Sequence, residues 1–140
     1  MHALLSSRTE EWTTPRALFA TLDATDGFTL DPCATPENAT CASFYTKEDD
    51  GLAKPWYGHV FMNPPYGATI GRWMAKAWAE SQRGALVVCL VPARVDTAWW
   101  HDYAARGEVE FLRGRLVFGP AASSAPFLSA VVVFRPPETG

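Results

Sequence analysis

Cysteine is scarce in this chain. There are three, Cys33, Cys41 and Cys89, an odd number with no CxxC spacing. This argues against a disulfide framework and against a zinc site, and no other metal set is expected; a reducing cytoplasm fits that usage. Long apolar runs are lacking as well. The longest, Ala85 to Pro92, is far too short to span a membrane. A basic excess is missing too: the net charge of −3 is not the footprint of a strong non-specific polyanion binder. The charge is uneven, however, with −6 over residues 1–50 and +3 over residues 51–140; a nucleic-acid face, if there is one, is to be sought in the second part, and ordinary scatter is the alternative. What is abundant is apolar surface, 48% hydrophobic residues with six Trp, enough for a real core. No repeat or interior linker divides the 140 residues, so one domain is expected, with loose tails at 1–8 and 136–140.

The most informative stretch is His59 to Gly67. Val60-Phe61-Met62 reads as the end of a buried strand, followed at once by Asn63-Pro64-Pro65-Tyr66. Each proline fixes its own φ near −65°, and each biases the residue before it toward extended backbone. The loop is therefore stiff, at the carboxyl end of a strand, where open α/β sheets place ligands. The Asn63 side-chain carbonyl and the Pro64 peptide carbonyl offer two fixed acceptors, which suit a planar amine with two N–H donors. Drawing on both hydrogens would turn the nitrogen lone pair outward as a nucleophile. Tyr66 can stack on the ring that carries the amine. A Pro-Pro turn in which Asn63 only caps the next element is the plainer alternative.

Around this loop, strands and helices alternate. Thr14 as N-cap and Pro15 as first helical residue predict a helix ending at Gly27, with Leu18, Phe19 and Leu22 as its apolar face. Phe28-Thr29-Leu30 is a short strand closed by Asp31-Pro32, and Ser43 to Thr46 a second one, followed by the acidic Glu48-Asp49-Asp50. Ile70, Trp73, Met74, Ala77, Trp78 and Ser81 make one apolar stripe of a helix that starts at Thr69 or Gly71 and runs to Gln82. Ala85 to Val91 is a continuous apolar strand, as a central parallel strand should be, and Pro92-Ala93-Arg94 ends it. Asp96 or Thr97 caps a helix from Ala98 to Arg106. Residues 108–112 alternate as a strand, 116–118 form another, 119–126 a mobile loop, and 130–134 a last buried strand in an antiparallel edge hairpin. Arg113 and Arg115, on either side of a glycine, match phosphate oxygens or simply sit in solvent. The pattern is α/β with a mostly parallel sheet and helices on both faces.

Asn63-Pro64-Pro65-Tyr66 resembles the (Asp/Asn/Ser)-Pro-Pro-(Tyr/Phe/Trp) motif of S-adenosylmethionine-dependent amino-methyltransferases. The wider chain resembles the phage-type DNA N-6-adenine methyltransferase (Dam-like) family. Trp12-Thr13-Thr14-Pro15, Phe28 to Pro32, Asp49 to Leu52, Val91 to Thr97, Arg113 to Gly119 and Ala125-Pro126-Phe127 carry that resemblance, from Glu11 to Arg135. It implies a minimal Rossmann-like methyltransferase fold and methyl transfer from S-adenosylmethionine to the exocyclic amine of a flipped DNA adenine, by direct displacement without a metal. It assigns Asn63, Pro64, Pro65 and Tyr66 to catalysis. It places Trp12, Thr14, Pro15, Asp31, Pro32, Asp49, Asp50 and Asn63 at the donor, and Tyr66, Arg94, Arg113 and Arg115 at the DNA. The chain departs from the general methyltransferase pattern in one place. Ala34-Thr35-Pro36 stands where a Gly-x-Gly is usual, and only 32 positions separate Asp31 from Asn63, so a trimmed sheet with a different donor loop is expected.

Two other readings stay open at this level. The tetrapeptide also occurs in enzymes that methylate RNA bases or protein glutamine. A catalytically inactive nucleotide- or DNA-holding module would fit the absent glycines. No separate target-recognition segment is visible, and a homodimer could supply DNA-binding surface. Self-protection of phage DNA is the role the resemblance suggests.

Overall fold

The structure, a computed structural model, describes residues 13–116 and 127–138. Its frame is one six-stranded sheet of β1 (Leu30–Asp31), β2 (Ser43–Phe44), β3 (His59–Met62), β4 (Leu86–Pro92), β5 (Glu108–Phe111) and β6 (Ser129–Phe134). The strand order is β2-β1-β3-β4-β6-β5. The first four strands run parallel, β6 runs antiparallel to β4, and β5 antiparallel to β6. The mostly parallel sheet with an antiparallel pair at one edge is therefore as the sequence predicts. Between β1 and β3 there is only the two-residue β2 and a 3₁₀ turn at Gly51–Ala53, with no α-helix, which is the expected trimming.

The register sorts the helices onto the two faces. Successive strand side chains alternate, and partners across a ladder share a face. Val60 pairs with Val87, and Val87 with Phe134; the Phe134 ring meets Trp78 of helix α2 (Ile70–Gln82), centroids 5.8 Å apart. Phe61 points the other way and meets Phe19 of helix α1 (Arg16–Asp26) edge-on at 5.2 Å. Helix α3 (Ala98–Asp102) lies on the α2 side, where Trp100 stacks on Phe111 at 5.9 Å. Covered on both sides, β4 is buried along all seven residues, which is why it must be apolar throughout.

Helix α2 buries the predicted stripe, with Trp78 only partly covered, and adds a residue that the stripe did not contain. Glu80 is 2% exposed. One carboxylate oxygen accepts the Trp56 N–H at 2.8 Å, and the other meets Lys76 at 3.3 Å and Arg83 at 2.5 Å. Burial opposes its ionisation, but these partners win and hold the carboxyl below its usual range.

Three local expectations are corrected. Helix α1 begins at Arg16, with Pro15 extended at ψ 131° before it, because the Thr14 hydroxyl is used elsewhere rather than as a cap. The helix expected over 98–106 breaks at Tyr103 into α3 and a 3₁₀ turn at Ala104–Arg106, and Gly107 follows; Thr97 is its cap, accepting from the Trp100 N–H at 3.4 Å. Strand β1 is Leu30–Asp31, since the Phe28 N–H is held by the Asp23 carboxylate at 2.7 Å instead of entering a ladder. Of the strand expected at 116–118, Leu116 is not in a strand; the rest of it, and the loop expected at 119–126, fall outside the described residues.

Candidate active site

The chain passes from β1 outward to β2 and then returns across β1 to β3. That reversal is a topological switch point, and its crevice opens at the carboxyl ends of the strands, where α/β sheets bind ligands. A cleft of about 160 Å³ lies there. Its wall is drawn from the loop after β1 (Asp31 to Thr35, and Asn38), the turn after β2 (Thr46, Lys47, Asp50, Gly51), the loop after β3 (Asn63, Pro65), and Thr13, Thr14 and Trp73.

Asn63 joins three of these segments. Its side-chain amide donates from Nδ2 to the Thr14 hydroxyl at 3.0 Å. Its peptide carbonyl accepts the Cys33 thiol at 3.3 Å. Its amide oxygen is buried beside the cleft. The residue that opens the stiff Pro-Pro loop is thus oriented from the N-terminal segment on one side and from the β1 loop on the other. Pro64 is buried, and Pro65 lines the cleft.

Asp31 reaches the cleft wall, but its oxygens turn back into the protein. Oδ1 accepts the Cys33 N–H at 3.3 Å, and Oδ2 accepts the Thr40 N–H at 3.0 Å and hydroxyl at 2.9 Å. Burial raises its pKa despite these three bonds. With Thr35 and Asn38 exchanging hydrogen bonds of 2.7 and 3.2 Å, Asp31 closes the residue 33–40 loop, in the place where a glycine loop is usual. This clasp was missed in the sequence. Its signal was the polar pair Thr35 and Asn38 after Asp31-Pro32, residues that favour local turn bonds.

Of the three acidic residues after β2, Asp49 and Asp50 part company. Asp49 is exposed and spends one oxygen on the Thr46 N–H and hydroxyl, at 2.9 and 3.1 Å, which holds its pKa below the usual value. Asp50 faces the cleft, with a left-handed φ of 56°, a conformation that a non-glycine residue rarely takes without a reason. Next to it, Gly51 packs so tightly that a Cβ there would come within 2.0 Å of the Pro32 carbonyl oxygen. Trp73, stacked on Trp56 at 6.3 Å, adds an apolar wall.

Tyr66 is buried and does not line the cleft. Its hydroxyl donates to the Leu90 carbonyl at 3.0 Å, and its ring meets Phe127 edge-on at 5.5 Å. Burial pushes its pKa well up. Pro15 and Asp49 stand outside the cleft wall, and Trp12 lies outside the described residues. Arg94, Arg113 and Arg115 are exposed and do not line it. Because β5 runs parallel to β4, all three follow the carboxyl ends of strands, on the same rim as Asn63. No helix is long and apolar enough to cross a membrane, and no group of three or more metal-type ligands occurs, among the described residues.

Over 95 residues, 65% of its length, the chain is 37% identical to a DNA N-6-adenine-methyltransferase of Escherichia phage T1, and the match spans 39% of that protein. It is 38% identical over 65 residues to YfdM of Escherichia coli (strain K12), a protein named as a candidate methyltransferase; that match covers 41% of the chain and 71% of YfdM. The family model for DNA N-6-adenine-methyltransferase (Dam) matches residues 2–134, and the chain belongs to that family.

Proposed function

We propose that the protein transfers a methyl group from S-adenosylmethionine to the N6 amine of adenine in DNA. The observation that carries this reading is Asn63. It opens the Pro-Pro loop at the switch-point cleft, held by Thr14 and Cys33. The donor set around the cleft suits S-adenosylmethionine. Asp50 offers a carboxylate to ribose hydroxyls, Trp73 and Pro32 a flat apolar wall, and Thr35, Asn38 and Thr13 polar groups. When bound, that donor supplies an electrophilic methyl carbon on a sulfonium. The protein's part is positioning. The Asn63 amide oxygen and the Pro64 carbonyl take the two amine hydrogens and turn the lone pair outward, and Pro65 keeps both acceptors in place. A general base is not required, since the proton leaves after nitrogen has bonded.

An adenine in a duplex cannot reach such a cleft while stacked and must be flipped. Arg94, Arg113 and Arg115 on the rim suit the flanking phosphates. Tyr66 meets the base ring, for which its contact with Phe127 opens.

Incubation with labelled S-adenosylmethionine and unmethylated duplex DNA tests the reading. Label is expected in N6-methyladenine and is expected to vanish with Asn63→Ala while donor binding persists. Label in RNA or in protein glutamine but not DNA would replace DNA as the substrate. Donor binding without any transfer would leave a binding module.

A further inference from the structure

Four large hydrophobic side chains stand out in solvent among the described residues: Tyr57 at 67% exposure, Phe111 at 60%, Leu128 at 51% and Val95 at 49%. Their placement is not random. Phe111 ends β5, Val95 follows β4, and Leu128 precedes the antiparallel β6, so three of the four lie on the rim that carries Asn63. Tyr57 precedes β3 and lies at the opposite edge.

Leu128 is tied to the core loop through its neighbours. Its peptide carbonyl accepts the Ala93 N–H at 2.8 Å, which fixes it beside the end of β4. The preceding residue, Phe127, is in ring contact with Tyr66 of the core loop. Arg94 follows Ala93 directly and is close enough to Tyr66 for its charge to act on the phenol. Leu128 keeps half of its apolar side chain in water, next to the base-binding loop and an exposed arginine, and that exposed half costs rather than contributes. Arg94, Arg113 and Arg115 stand exposed toward this rim, with Asp96 near Arg94 and Glu110 just before Arg113, so basic side chains outnumber acidic ones there and suit a polyanion.

We propose that Leu128 is the wedge that enters the duplex as the adenine leaves it, taking the vacated stacking space, with Arg94 on the adjacent phosphate. This rests on the DNA-methylating reading above. Apolar side chains that part base steps are a known device of DNA-bending proteins, and extrusion costs least where pairing is already lost.

The test begins by mapping one adenine that the wild type methylates in a duplex oligonucleotide. The same duplex is then made with an abasic site opposite that adenine, and with 2-aminopurine in its place. Leu128→Ala and Leu128→Gln are expected to lower kcat/KM on the paired duplex on the order of tenfold and to lose most of that deficit on the abasic duplex. The 2-aminopurine fluorescence rise on binding, which needs no chemistry, is expected to fall with them. Leu128→Met, which keeps an apolar reach, and Tyr57→Ala, at the other edge, are expected to match the wild type. Truncating a half-exposed side chain leaves no cavity, and matching melting curves check that both variants fold. Equal losses on paired and abasic duplexes, or no loss on either, would overturn the wedge. A wild type that labels no DNA at all would overturn the underlying reading instead.

Discussion

Gly51 offers a sharp test of how the cleft is built. Alanine there would put its Cβ 2.0 Å from the Pro32 carbonyl oxygen and 3.3 Å from the Trp73 ring. Real Cβ contacts stay at or beyond 3.0 Å, so the turn after β2 and the loop after β1 would have to part by about 1 Å. The obstacle is backbone on a buried segment, which cannot swing aside as a flexible side chain would. Overpacking of this kind costs about 1–3 kcal/mol, and the upper end applies here. For a chain of this size that is a fall in Tm of roughly 9–12 °C. Because both displaced segments line the cleft, donor affinity should fall with it. Gly27 is the internal control. It sits at φ +63° with nothing within 4 Å of its would-be Cβ, so alanine there costs only the left-handed conformation, about 1–2 kcal/mol, and should leave donor binding alone. Differential scanning fluorimetry and calorimetric titration of both variants with S-adenosylmethionine check this. A Gly51→Ala protein that melts and binds like wild type would refute the tight approach of the two segments, and so would a Gly27→Ala protein that loses as much donor affinity.

Two further perturbations follow from single groups. Glu80→Gln should lower Tm at pH 7, and the gap to wild type should close in acid. The folded carboxyl sits below its unfolded value of 4.5, so its contribution is present above that value and is lost as pH falls through the folded pKa. A gap that stays constant from pH 7 to pH 3 would contradict this, as urea melts along that range can show. Tyr66→Phe removes the hydrogen bond to the Leu90 carbonyl and should cost about 1–2 kcal/mol of stability in urea unfolding. Because the ring remains, methyl transfer should suffer far less than in Tyr66→Ala.

Periodicity made the frame legible. Helix α2 and strand β4 lie within a residue of their predicted bounds, because each buries a full apolar face and nothing competes locally. Glu80 escaped because its main partner, the Trp56 N–H, is 24 residues upstream, and no pattern of one helix reveals a donor brought by another segment. Thr14 reads as a cap in isolation; the structure gives its hydroxyl to Asn63, 49 residues away. Asp31 lines the cleft as its place after a strand end suggests, but its local partners were not legible. Cys33 and Thr40, two and nine residues on, donate to its carboxylate, and nothing in the Asp-Pro pair announces them. The cleft's ingredients were visible as residue types, but which of Asp49 and Asp50 faces it depends on one left-handed backbone step that composition does not encode.

The place of β6 in the sheet has a consequence for how the chain acquires its shape. The last of the described strands lies between β4 and β5, pairing with β4 from Val87–Phe134 to Pro92–Ser129. Until residues 129–134 leave the ribosome, β4 keeps an open apolar edge, and β5 lacks the β6 ladder it pairs with. The parallel half can collapse earlier, but the half that carries the rim arginines assembles only when the final strand threads into the gap. Such late, long-range closure makes for slow folding and leaves a sticky edge exposed during synthesis. Chain elongation, rather than local propensity, thus sets when the arginine-bearing rim comes into being.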